Sequence, residues 1–317
     1  MGILILLLTS LALVVVLGTF VLVHQMLHPP RKTFGVAVAR RLPTDPAGLG
    51  LEFIERTFEL PDGSATLGWD IRGGLKAGPD VIFTHGWGDS RFGALTWVGL
   101  VAASVHRIIV YDLRGHGDSP APISRLGTAE VWDLLAIVDQ LDGEIAADRV
   151  VARPLVLWGH SLGAGIAIAA AALDARHEAG CVSGVIADGA SRVLGEPMAA
   201  LLRLRRLPSF PFVAMAQLCL AAVIGGTVRG YDRMRHAAQM QCPLLMLHGA
   251  ADPLASVRAA RQIAEAAPRA RMEIFENAHH GDLMEVDEAG YRSLVNSFLS
   301  DVGAEASWTG FPQEAAT

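Results

Sequence analysis

The chain has 317 residues, 51% of them apolar and 18% charged, with a net charge of −6 and three cysteines. Apolar content this high excludes disorder, and three scattered cysteines exclude a disulfide-stapled miniprotein or a CxxC metal site. An acidic chain without a long basic run lacks the electrostatics for phosphate backbones, so nucleic acid is excluded as a partner.

Residues 3–23, ILILLLTSLALVVVLGTFVLV, carry no charge. A helix of about 20 residues spans the roughly 30 Å of a bilayer's hydrocarbon core. A cleavable signal would carry basic residues, then an apolar core of about 7–15 residues, then a small-residue cleavage site. This run begins at Met1-Gly2, is longer, and passes into VHQMLHPP. Residues 1–24 are therefore expected to form an uncleaved, single-pass anchor. Arg31, Lys32, Arg40 and Arg41 all follow it, and the positive-inside rule then holds the downstream domain on the cytoplasmic side. Residues 25–50, with HPPRK and LPTDPAGLG, read as a proline-broken tether.

From residue 51 onward the pattern is regular. LEFIERTFEL, PDG and SATLGWDIRG predict an antiparallel hairpin. VIFTHG, RIIVYD, PLVLWGHS, GVIADGA, PLLMLHG and RMEIFE are short apolar runs of the kind buried on both faces of a sheet. Helical patterns lie between them, around 92–104, 128–145, 162–173, 254–266 and 287–299. The alternation predicts an α/β fold: a mostly parallel twisted sheet with helices on both faces, in one domain over 51–302. A flexible tail is expected at 303–317.

Residues 190–240 break the alternation with a basic cluster (Arg203, Arg205, Arg206), the turn LPSFPF and the apolar stretch FVAMAQLCLAAVIGG. A crossover needs far fewer residues. The segment reads as a helical lid touching membrane, with a buried helix or a short second span as alternatives.

The strongest chemical signal is Gly159-His160-Ser161-Leu162-Gly163, a G-x-S-x-G between a strand and a helix. Small neighbours let the backbone turn sharply and lift the serine hydroxyl clear of the sheet. The helix N-terminus supplies a backbone N–H and positive dipole where an oxyanion forms. Serine needs a base, and the base needs an acid to orient it. Asp252 stands just past PLLMLHG, and His279 and His280 stand past RMEIFE. Ser161, acid, His is the order expected for a nucleophile on such an elbow.

Over about 52–299 the chain resembles the α/β-hydrolases, in the elbow and also in HGWGDS at 85–90 and YDLRGHGDS at 111–119. That resemblance implies an oxyanion hole from the backbone N–H groups of Trp87 and Leu162, with the Trp87 indole shaping the acyl pocket. It makes His85, Gly86, Asp112, Arg114, His116 and Asp118 scaffold residues. The family pattern of small residue, catalytic histidine, then an acid two positions on fits His280 with Asp282 better than His279. Asp252 occupies the commoner acid position, and Asp188, at the end of GVIADGA, is the alternative. His160, beside the serine, is expected to face away from the site and to pack or hydrogen-bond rather than to catalyse.

The expected function is a serine hydrolase cleaving a carboxylic ester or thioester, with Ser161, Asp252 and His280 as triad and an apolar or lipid-like acyl substrate. Peptidase and haloperoxidase chemistry use the same triad, and a membrane-tethered scaffold without catalysis is the alternative of another class. A dehalogenase would need a carboxylate where Ser161 stands. With no HExxH and no phosphate-binding loop, neither metal nor cofactor is expected.

Overall fold

In a computed structural model, residues 1–148, 153–175, 180–224 and 231–306 are described. Eight strands form one sheet: β1 (Phe53–Glu59), β2 (Ala65–Arg72), β3 (Asp80–Thr84), β4 (Arg107–Tyr111), β5 (Leu155–His160), β6 (Val182–Asp188), β7 (Leu244–Gly249) and β8 (Ala270–Phe275). Their order is β1-β2-β4-β3-β5-β6-β7-β8. The β1–β2 hairpin is antiparallel and joins β4 antiparallel, whereas every pair from β4 to β8 is parallel. Each predicted run is a strand. β3 and β7 are buried at every residue, while β1 at the sheet edge exposes Ile54, Glu55, Thr57 and Glu59, the usual contrast between doubly covered and half-solvated strands.

The period of two along each strand divides the core. Ile82, Ile109, Leu157 and Val185 face the layer that holds α4 (Ala129–Asp148), α5 (Leu162–Asp174) and α9 (Val257–Ala266). Val81, Phe83, Ile108, Val110, Val156 and Trp158 face the layer of α3 (Arg91–Val101) and α11 (Glu288–Ala306). The pattern around 254–266 begins its helix only at Val257. Asp252 already takes the N–H groups of Leu254 and Ala255, and the Ser256 hydroxyl accepts from Ala259 N to cap the first turn. The expected tail at 303–317 is helical through Ala306, and its remainder lies outside the described residues.

At the N-terminus α1 (Gly2–Leu27) is long and apolar enough to cross a membrane. Residues 25–50 carry α2 (Phe34–Ala39) and a 3-10 turn (Pro46–Leu49) and are fastened to the body. Leu27 O accepts from Ser124 N at 2.9 Å, the Arg31 guanidinium donates to the carbonyls of Ser119 and Ala121, and Lys32 pairs with Asp89 at 2.9 Å. Among the described residues of 190–240 are α6 (Gly195–Leu204), α7 (Phe212–Ile224) and α8 (Arg233–Ala237). A third apolar cluster joins Leu22, Met26 and Leu27 of α1 to Leu194, Met198 and Leu202 on the α6 side and to Ala216, Leu220 and Ile224 of α7. α10 (Leu283–Val286) precedes α11.

Candidate active site

Ser161 sits between β5 and α5 with φ 53° and ψ −113°, a left-handed conformation that costs a non-glycine residue about 1–3 kcal/mol. Close packing holds it there. A side-chain carbon on Gly163 would collide with the Thr84 carbonyl, and one on Gly159 with the backbone of Gly163. The Ser161 N–H donates to the Asp188 carbonyl at 2.7 Å, tying the turn to the end of β6.

His280, between β8 and α10, approaches Ser161 from across the sheet. Its Nε2 is 2.7 Å from Ser161 Oγ and its Nδ1 is 2.7 Å from Asp252 Oδ2. With Nδ1 protonated, the ring donates to the carboxylate and accepts from the hydroxyl. Asp252 Oδ1 accepts from Leu254 N at 2.7 Å and Ala255 N at 2.9 Å. Burial works to raise the Asp252 pKa, but the hydrogen bonds from His280, Ala255 and Leu254 outweigh it and hold the carboxyl below its usual range. His248 Nε2 lies 3.6 Å from the same carboxylate, yet it donates to Ala255 O at 3.0 Å, and burial pushes its pKa down.

The two alternatives fall elsewhere. His279 is exposed, its N–H on Asp282 Oδ1 and its ring 3.4 Å from Asp282 Oδ2. Asp188 is buried, with Oδ2 accepting from Tyr291 OH at 2.8 Å and Oδ1 lacking a partner, and burial pushes its carboxyl up to about 6. The HGWGDS and YDLRGHGDS segments brace one another. His85 Nε2 accepts from Leu113 N at 3.0 Å and its Nδ1–H donates to Gly86 O at 2.8 Å, while burial disfavours its charged form. Asp112 takes the Arg91 guanidinium and the N–H groups of Arg91 and Asp118. Burial of His116 drops its pKa to about 3.

A cavity of about 300 Å³ opens over Ser161 and His280, walled by Met26, Trp87, Leu162, Leu194 and Leu201. Two of its features escaped the sequence. Met26, at the end of α1, forms part of the wall, and its carbonyl accepts from the Trp87 indole N–H at 3.0 Å. His160 packs as expected, but onto the site: its ring lies 5.4 Å from His280 and 5.1 Å from Trp97, with both nitrogens unpartnered and burial lowering its pKa to about 3. Nothing local marks either residue. Met26 reads as more of an apolar run, and His160 is set against His280 only by the fold. Among the described residues no group of three or more His, Cys, Asp or Glu side chains is arranged to hold a metal.

Known proteins are similar to this chain in sequence and fold. Residues 81–291 fit the model of the alpha/beta hydrolase family. An uncharacterized protein of Bacillus subtilis, YqkD, is 27% identical over 262 residues, covering 79% of this chain and 81% of that one. The pimeloyl-[acyl-carrier protein] methyl ester esterase of Chromobacterium violaceum is 28% identical over 249 residues, 70% of this chain and 94% of the esterase. Among solved structures the Pyrococcus furiosus esterase Pf2001 superposes with a TM-score of 0.67 at 20% identity, over 86% of this chain and 99% of that one, a likeness of fold. The chain belongs to the alpha/beta hydrolase family and is a hydrolase.

Proposed function

We propose that this hydrolase cleaves carboxylic esters or thioesters of apolar, lipid-like acyl groups through an acyl-enzyme on Ser161, anchored in a membrane by α1. The reading rests on His280, which stands 2.7 Å from both Ser161 Oγ and Asp252 Oδ2 on the floor of an apolar cavity. Ser161 Oγ attacks the carbonyl carbon as its proton passes to His280 Nε2, and the carbonyl π pair moves onto oxygen. The N–H groups of Trp87 and Leu162 receive that oxyanion, a donor in this role contributing about 3–4 kcal/mol. Collapse breaks the bond to the leaving alkoxide or thiolate, which takes the proton from His280. Water then repeats the sequence with His280 as base and frees Ser161.

Relatives add support, one of them being named a methyl ester esterase of an acyl-carrier conjugate. The apolar wall and the adjoining span favour an acyl group that partitions into a bilayer. Arg31, Lys32, Arg40 and Arg41 beyond α1 favour a cytoplasmic catalytic domain. A fluorophosphonate probe on membranes carrying the full chain tests the core of the proposal. Labelling lost in Ser161→Ala at equal expression is the expected result. A folded wild type that stays unlabelled in both membranes and detergent micelles overturns it.

A further inference from the structure

Helix length and burial both bear on where the proposed span would leave the lipid. At 1.5 Å per residue its 26 residues span about 39 Å, more than the roughly 30 Å of hydrocarbon. Counted from Gly2, the hydrocarbon is filled at about Val21. The protein-facing side of the helix becomes covered just before that level, Thr19 and Leu22 being each 3% exposed, while Phe20 on another face is 67% exposed.

The α6–α7 hairpin reaches past that level. The Phe212 ring at the start of α7 packs against Gly18, so closely that a side-chain carbon on Gly18 would collide with it. Gly18 lies four residues before Leu22, about 6 Å deeper along the helix. The turn entering α7 is built for such a depth. Leu204, Leu207 and Phe210 are exposed, Phe210 to 79%. Arg205 between them stands higher, donating to Gln25 Oε1 at 3.2 Å, nearly two turns of α1 above Gly18. The exposed residues of α7 are Ala214, Leu218, Cys219, Ala222 and Val223, with no charge among them, whereas its one strongly polar side chain, Gln217, turns inward against Gly195 of α6. With Ala216, Leu220 and Ile224 buried on the inner face, the helix is apolar on both sides and lacks the polar outer face of a helix on a soluble surface. An apolar tip beneath a collar of arginines is the arrangement of an interfacial membrane element.

We propose that the tip of the α6–α7 hairpin is a second membrane-inserted element, sunk into the leaflet from which α1 emerges, with Arg203, Arg205 and Arg206 at its phosphates. The occupant of this surface is lipid, because the hairpin packs side by side with the span itself. Leu194 and Leu201 on its inner side wall the cavity beside Met26, so the pocket opens at the boundary of acyl chains and headgroups. The inference deepens the reading of a membrane-anchored ester hydrolase and rests on it.

Its test is a depth measurement on the full chain. Protein carrying Phe210→Cys and Cys219→Ser is labelled with bimane and reconstituted in phosphatidylcholine–phosphatidylglycerol vesicles, with Cys219→Ser alone as background. Nitroxide on the lipid acyl chain quenches the label more than nitroxide on the headgroup if the tip is inserted. Quenching by neither, or by the headgroup probe alone, overturns the inference. The same vesicles are assayed with a water-soluble short-chain ester. An inserted tip without hydrolysis sinks the esterase reading and spares this one, and hydrolysis with an unquenched label does the reverse. In parallel, Phe210→Asp is expected to cut turnover of a vesicle-embedded long-chain ester roughly tenfold while leaving the soluble ester unchanged. Equal effects on the two esters count against insertion.

Discussion

Replacing Asp252 by Asn turns one acceptor atom into a donor and alters little else. Oδ1 takes the N–H groups of Leu254 and Ala255 at 2.7 and 2.9 Å, and an amide oxygen can hold both. That fixes the rotamer, since the opposite one would face two N–H donors with an NH2 group. The amide nitrogen therefore occupies the position of Oδ2, 2.7 Å from His280 Nδ1. Two donors cannot share that contact, so the imidazole moves its proton to Nε2, where it points at Ser161 Oγ and the ring no longer accepts. Tautomer inversion of this kind costs serine triads about 10⁴-fold, about 5 kcal/mol of barrier. The loop keeps its two backbone bonds, so thermal unfolding should shift little. Hydrolysis of a short-chain p-nitrophenyl ester, the rate of fluorophosphonate labelling and Tm are measured together. A loss below tenfold at unchanged Tm refutes the reasoning and points to Asp188 as the orienting acid.

Asp188 carries a separate prediction. Its carboxyl is pushed from the ordinary 3.8 up to about 6 by burial, so between about pH 4 and 6 the folded chain binds more protons than the unfolded one. The group therefore subtracts stability as pH rises through that window, by about 3 kcal/mol at neutral pH from roughly two units at 1.36 kcal/mol each. Asp188→Asn should remove the loss, and unfolding curves whose difference from wild type is the same at pH 4 and pH 7 would contradict it. Met26→Trp narrows a cavity of about 300 Å³ at its α1 wall. It should lower kcat/KM for a dodecanoyl ester at least about tenfold relative to an acetyl ester, and equal losses on both would remove Met26 from the acyl site.

What was legible in the sequence follows from how local each determinant is. The parallel strands announce themselves because a strand covered on both faces must be apolar throughout, as PLLMLHG and VIFTHG are. The elbow is legible because its small residues stand within two positions of Ser161, although the group that excludes a side chain at Gly163 is the distant Thr84 carbonyl. Choosing between His279 and His280 needed a pattern of neighbours. The turn that separates them, with Asn277 at φ 64° and Gly281 at φ 89°, sends one ring to Asp282 and the other to Ser161. Asp188 and Asp252 both follow strands, and what distinguishes them lies in distant partners. Tyr291, over a hundred residues on, holds Asp188, whereas His280 faces Asp252. The cavity wall was illegible for the same reason: Met26 joins Leu194 and Leu201 in it only after the fold has brought α1 and α6 together over the elbow.

The junction of α1 and the body changes what the proposed anchor would do. A free tether would let the pocket sample every orientation to the bilayer, and its removal would cost only local concentration. Here the end of α1 is clamped by the Leu27 carbonyl on Ser124, by Arg31 and Lys32, and by an apolar cluster shared with α6 and α7. The pocket consequently has one orientation to α1. Deleting α1 would also strip Met26 from the wall of the cavity and Leu22 and Leu27 from the cluster behind it, so loss of activity in a truncated chain would not isolate an effect of location. The contact goes further at Trp87. Its indole is held by the Met26 carbonyl at 3.0 Å, and its own N–H is the proposed oxyanion donor. A displacement of α1 is therefore transmitted through one side chain to the group that receives charge in the transition state. Trp87→Phe, which keeps the ring and the backbone donor but drops the indole bond, separates that transmission from simple burial. It should lower kcat on a soluble ester by several-fold with the chain still membrane-bound, in keeping with about 1 kcal/mol for one hydrogen bond, and an unchanged kcat would show that the oxyanion loop holds its geometry without the anchor.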